Sequence, residues 1–216
     1  MIKWRNLIKD LQKQRCVLLL GDALPYVDYE GEKMQLNHAF AKHIACLLNE
    51  ENIEYEKTHQ HNLHYVAQQY LINDKRKTYL DDEIEDVYEQ CSYDIPNIYQ
   101  SLAKLPFHLI INASPDDFMF RALQKENKKV QTEYYHFSKQ QHEQNINDFD
   151  AEKPLVYNLF GSLNDASSAV LTAKNEVEFV HSIVSNAAAI PDKIINNLKN
   201  VSLLFLGFDF SLIILR

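Results

Sequence analysis

Four glycines occur among 216 residues, and three of them follow apolar runs: Gly21 after CVLLL, Gly161 after PLVYNLF and Gly207 after VSLLFL. A glycine just past a buried strand permits a tight turn and a close approach of backbone to ligand. Strand ends gathered at the carboxyl edge of a parallel sheet form the usual nucleotide crevice, so binding chemistry is expected at these three points. His59, His61 and His64 are a second candidate, because a spacing of three puts His61 and His64 on one helix face, as in a metal pair. With no carboxylate or cysteine taken to complete that set, a solvated loop-to-helix cluster is the preferred reading. The acids Asp81, Asp82, Glu83, Glu85, Asp86 and Glu89 are a third. Acids in a first helical turn favour the helix dipole, and an apolar face at Ile84, Val87, Tyr88 and Cys91 accounts for the rest. No metal site is assigned.

The elements that must position these residues follow from patterning. Trp4, Leu7, Ile8 and Leu11 recur at helical spacing, and residues 16–20 then read as a buried parallel strand. A polar, aromatic loop with Pro25 and Gly31 follows. Helical faces come next at Leu36, Phe40, Ile44 and Leu47, at Leu63, Val66, Ala67, Tyr70 and Leu71, and at Ile84 to Cys91, with a shorter helix opening near Pro96. A second strand spans 107–112, ahead of a helix carrying Phe118, Met119, Ala122 and Leu123. Weaker strand signals lie at 131–136 and 154–159. Val177, Val180 and Val184 give a further helix face, Pro191 opens one more helix, and 202–207 is the last strand. Strands alternating with helices imply an α/β fold, a Rossmann-like doubly wound sheet that is mostly parallel. A crossover needs only about 10–12 residues, so the long gap between the first two strong strands reads as an inserted helical subdomain over roughly 34–104, covering the crevice.

Composition narrows the function classes. Hydrophobic residues make up 46% and charged residues 24%, which supports a sizeable core. A net charge of −8 argues against a nucleic-acid partner, since phosphate contacts need a basic face. No apolar run reaches the ~18 residues of a membrane span, and the charged N-terminus lacks the apolar stretch of a secretory signal. A cytoplasmic location is expected. Cys16, Cys46 and Cys91 read as buried thiols without disulfide or zinc. The chain stops at Arg216 inside an apolar run, so an additional C-terminal domain is expected in a longer protein.

In order along the chain stand Gly21-Asp22-Ala23, LIINASPDDFMFRAL, LVYNLFGSL, AVLTAKNEVEFV and VSLLFLGFDFS. Over about residues 15–216 this series resembles the sirtuin-like domains of bacterial defence and signalling proteins, which bind NAD and often hydrolyse it. The resemblance implies a binding set of Gly21, Asp22, Ala23, Asn112, Ser114, Asp116, Phe160, Gly161, Gly207, Phe208 and Asp209. In that family the first turn is Gly-Ala-Gly, its amides set against the pyrophosphate. Here Asp22 brings a carboxylate there and Ala23 replaces a glycine. The family's Thr-x-Asn-x-Asp motif aligns on Asp116, which places Ser114 at the asparagine that orients ribose and water, and Asn112 at the threonine. The family's His-Gly becomes Phe160-Gly161. A phenyl ring accepts no proton, and losing a general base costs about 10²–10⁴-fold in rate. Asp209, at the serine of the last motif, either accepts from ribose hydroxyls or caps the final helix.

The resemblance therefore implies a sirtuin-like domain that keeps the NAD-binding type of fold and has lost NAD hydrolysis. Such a domain is a nucleotide-sensing or scaffolding module set in antiphage defence. Its ligand is NAD or an ADP-ribose-type nucleotide with no metal, and it assembles as a homo-oligomer without nucleic acid or membrane. One alternative is an active NAD hydrolase with Asn112, Ser114 and Asp116 as its catalytic set and His64, reaching in from the lid, as a displaced base. The other is a ligand-free oligomerisation domain.

Overall fold

A computed structural model describes residues 4–73, 76–91, 94–138, 146–185 and 188–208. Five strands form one parallel sheet in the order β5-β6-β4-β1-β7. They are β1 (Cys16–Leu20), β4 (Leu109–Asn112), β5 (Gln131–Tyr134), β6 (Leu155–Asn158) and β7 (Ser202–Leu206). Register pairs Leu20 with both Asn112 and Leu206, and Asn112 with Asn158. Four chain segments therefore leave the sheet side by side at its carboxyl edge. The central strands β1 and β4 are buried along nearly their whole length, as continuous Val/Leu/Ile runs demand when both sheet faces are covered.

The run read as a loop after β1 is a hairpin instead, formed by β2 (Tyr26–Tyr29) and β3 (Glu32–Gln35). Its two connecting residues, Glu30 and Gly31, both have positive φ, at 50° and 79°. Two left-handed residues in sequence match the twist of the flanking strands. Val27 and Tyr29 alternate inward, and the outward residues are polar or aromatic, which masked the strand period.

Helices cover both faces. One face carries α2 (Leu36–Glu50), α3 (Leu63–Ile72), α4 (Lys77–Cys91), α5 (Asn97–Ala103) and α6 (Phe118–Lys125), whose apolar stripes share a core with Leu18, Leu20, Ile110 and Val156. Asn62 caps α3, its side chain accepting the Tyr65 amide at 3.1 Å. The opposite face carries α7 (Ala173–Ser185) and α8 (Asp192–Asn197) over Val17, Leu109, Ile111, Leu155 and Tyr157.

Three burial expectations are corrected. In α1 (Trp4–Gln12), Leu7 and Leu11 pack on the core while Trp4 and Ile8 are exposed. In α7 the valine face points outward, with Val177 70% and Val184 81% exposed, because Phe179 and Ser182 fill the inward positions against Tyr135. Cys46 is exposed rather than buried, whereas Cys16 and Cys91 are buried. Among the described residues no helix is long and apolar enough to cross a membrane.

Candidate functional site

The first turn is pressed against the neighbouring strand end. The Gly21 amide donates to the Leu206 carbonyl at 2.7 Å, the Ala23 amide to the Gly207 carbonyl at 3.1 Å, and the Leu24 amide back to Gly21 at 3.1 Å. A methyl group on Gly21 would lie 2.1 Å from the Gly207 carbonyl oxygen, and one on Gly207, where φ is +74°, 2.5 Å from Leu24 Cβ. These glycines serve the approach of backbone to backbone. The Asp22 carboxylate accepts from Asn37 Nδ2 at 3.2 Å. Burial pushes its pKa up, and nearby His64 pulls it back.

The second segment is sealed. Asn112, Ser114 and Asp116 are exposed by 0%, 1% and 1%. Asp116 Oδ1 accepts the Phe118 amide at 2.9 Å, so this carboxyl anchors the start of α6. Asn112 and Asn158, level across β4 and β6, both donate through Nδ2 to the Asp116 carbonyl at 3.4 Å. Their Oδ1 atoms and Asp116 Oδ2 meet no hydrogen-bond partner among the described residues. Burial raises the Asp116 carboxyl pKa, opposed by the Ser114 hydroxyl and the Phe118 amide. Above this segment Tyr88 of α4 donates to Asp117 Oδ1 at 2.6 Å and accepts the Asp117 amide at 3.1 Å. The Leu163 amide reaches the Pro115 carbonyl at 3.2 Å.

The third segment turns its ring away into the apolar layer beneath α7. Phe160 sits edge-on to Phe179 with centroids 5.0 Å apart and belongs to the apolar cluster on that face. A methyl on Gly161, with φ +84°, would meet the Ser168 carbonyl at 2.1 Å. The Phe160 carbonyl accepts the Val170 amide at 3.1 Å. At the last segment Phe208 lies against Phe205 at 5.5 Å; Asp209 lies outside the described residues.

The histidines do not converge on a metal. His59 pairs with Glu56 at 3.6 Å, a carboxylate the spacing argument passed over, and His61 lies 6.1 Å from the His38 ring. His64, half-buried, points Nε2 toward Glu176 of α7 at 3.9 Å and acts on Asp22. The acidic run lies along α4, where Asp81 pairs with Lys77 at 3.3 Å and Glu83 with His43 at 2.6 Å. Among the described residues no three His, Cys, Asp or Glu side chains are grouped to hold a metal ion.

Sequence reasoning missed His136. It follows β5 and, by extension of the register, stands level with Phe160. Its Nδ1 accepts the Ser138 amide at 3.4 Å, which leaves the proton on Nε2 to donate to Ser167 Oγ at 3.1 Å. Ser167 donates in turn to Asp165 Oδ1 at 2.6 Å, and Tyr134 donates to Asp165 Oδ2 at 3.0 Å. Through these contacts the imidazole ties the 161–170 loop to β5. Its only sequence signal was a histidine two residues past a weak strand.

At the first turn the amides of Gly21, Ala23 and Leu24 are engaged within the protein, and a Cβ on Gly21, Gly161 or Gly207 would meet neighbouring backbone or side-chain atoms. No curated protein matches the chain. A family model described as SIR2-like domain matches residues 108–212, which run from β4 past β7. Over those residues the chain is similar to a SIR2-like domain, in keeping with the sirtuin-like motif order of its sequence.

Proposed function

We propose that this domain keeps the sirtuin-like fold without NAD hydrolysis and works as a scaffolding or nucleotide-sensing module. The observation that carries the reading is the engagement of the first turn within the protein. The Leu206 and Gly207 carbonyls take the Gly21 and Ala23 amides at 2.7 and 3.1 Å. A pyrophosphate needs free amides or cations at such a turn. The position that carries the family's imidazole holds a phenyl ring packed on Phe179. In the setting the resemblance implies, antiphage defence, the domain assembles as a homo-oligomer beside a further domain that supplies the chemistry.

The test is incubation of the purified domain with NAD while nicotinamide release and the melting temperature are followed. Silence predicts no release, and nucleotide sensing predicts a raised melting temperature, since a ligand bound only to the native state stabilises it. Release in proportion to protein concentration overturns the reading. One observation favours the active alternative, namely His64 half-buried beside Asp22. If that reading holds, His64→Ala abolishes the release.

A further inference from the structure

Helix α7 turns a second apolar stripe away from the sheet. Its inward residues are Asn175, Phe179 and Ser182, with Phe179 set against Tyr135 and Phe160. On the opposite side Val177, Val180 and Val184 are 70%, 57% and 81% exposed, and Ala173 precedes them on the same line. β-Branched residues are poor choices for an open helix surface, where straight-chain residues lose less side-chain freedom. Spacings of four, three and four residues give the stripe the alternation of a coiled-coil seam. The charges at its borders are matched within the domain, Lys174 by Glu178 at 3.6 Å and Glu176 by His64 at 3.9 Å. The seam is also symmetric about its centre. Laying a second α7 antiparallel about the midpoint between Glu178 and Phe179 sets Val177 against Val180 and Ala173 against Val184, each twice. That self-matching is what a two-fold contact requires, residue i meeting j and j meeting i. The patch is on the order of 400 Å², within the range of functional surface patches. Two copies would bury roughly 800–1,000 Å² together, the size of a weak contact that forms as concentration rises.

We propose that this valine seam is the face through which the domain pairs with a second copy of itself, the two α7 helices lying antiparallel. The inference rests on the homo-oligomer of the proposed function and names the surface for it.

The test is sedimentation velocity on the whole chain from roughly 1 to 500 µM, where a weak contact passes from empty to filled. The natural sequence is expected to dimerise across that range. Val177→Lys and Val180→Glu lie on the surface and should fold. Each alone should weaken pairing by about tenfold or more, because a charge is then buried without a partner. Mixed in equal amounts, the two variants should regain about that factor, since the new ammonium and carboxylate meet across the reversed pair. Val184→Glu is a third probe of the same seam and should weaken pairing alone, but its mixture with Val177→Lys should not regain it, because the register keeps those two positions apart. A natural sequence that stays monomeric throughout overturns both the inference and the homo-oligomer. A dimer that these variants leave unchanged overturns the inference and keeps the homo-oligomer, and a Val177→Lys and Val180→Glu mixture that stays monomeric overturns the antiparallel register. Catalytic silence is read separately, by nicotinamide release, and stands or falls apart from these results.

Discussion

Replacing Gly21 by alanine separates two explanations of the strand-end glycines. If glycine is there to admit a ligand, Gly21→Ala weakens binding and leaves the ligand-free protein's stability unchanged. The structure predicts the reverse. The new methyl would lie 2.1 Å from the Gly207 carbonyl oxygen and 2.8 Å from the Phe208 nitrogen, both backbone atoms that cannot swing aside. The first turn must then back away from β7. Overpacking of this kind costs about 1–3 kcal/mol. The bonds from Gly21 to Leu206 and from Ala23 to Gly207 lengthen with it, at about 1 kcal/mol each. The sum, about 3–5 kcal/mol, is a large share of the 5–15 kcal/mol that ordinarily separates folded from unfolded protein. For a chain of this length that is a fall in melting temperature of roughly 6–20 °C. Thermal denaturation without ligand measures it, with urea titration as a check. A fall of less than about 2 °C refutes the argument that this turn is committed to packing.

Further outcomes follow from the same geometry. Phe160→His is expected to restore no nicotinamide release and to destabilise by about 1–3 kcal/mol, because the imidazole lands against Phe179; release regained on this single change would show that the ring does face a substrate. Asp116→Asn should stabilise by about 1–2 kcal/mol at pH 7, since the amide can still accept from Phe118 and leaves no buried charge. Burial raises the Asp116 pKa, so the folded state holds that proton more tightly than the unfolded chain does. The natural protein therefore loses stability as pH rises from about 4 through the raised value, and the variant lacks this loss. Denaturation midpoints across that range show whether the two curves diverge upward in pH. Thiol titration of the native protein should find Cys46 alone, with Cys16 and Cys91 answering only in denaturant, because burial pushes both of those thiols up to about 11.

Strong apolar runs were legible in the sequence wherever burial alone decides structure. Residues 16–20 and 109–112 are central strands because Val, Leu and Ile fill both of their faces, and the stripe Phe118, Met119, Ala122, Leu123 is buried as its spacing required. The hairpin at 26–35 was not legible, because its turn uses glutamate before glycine and its outward side is aromatic. Neither was the outward valine face of α7, since a helix with apolar residues on two sides has no single periodic answer; Phe179 wins by meeting Tyr135 and Phe160. At the site, motif order located the carboxyl edge, but direction is a property of neighbours. That Gly21 faces Gly207, that Asn158 joins Asn112 on one carbonyl, and that His136 meets Ser167 all depend on how distant segments come together.

The most direct trial of catalytic silence is a time course of NAD with purified protein, the liberated nicotinamide read by proton NMR against a protein-free control. The engaged first turn and the phenyl ring at position 160 predict superimposable traces at every protein concentration. Nicotinamide accumulating at a rate proportional to protein, and lost when His64 is replaced by alanine, contradicts it.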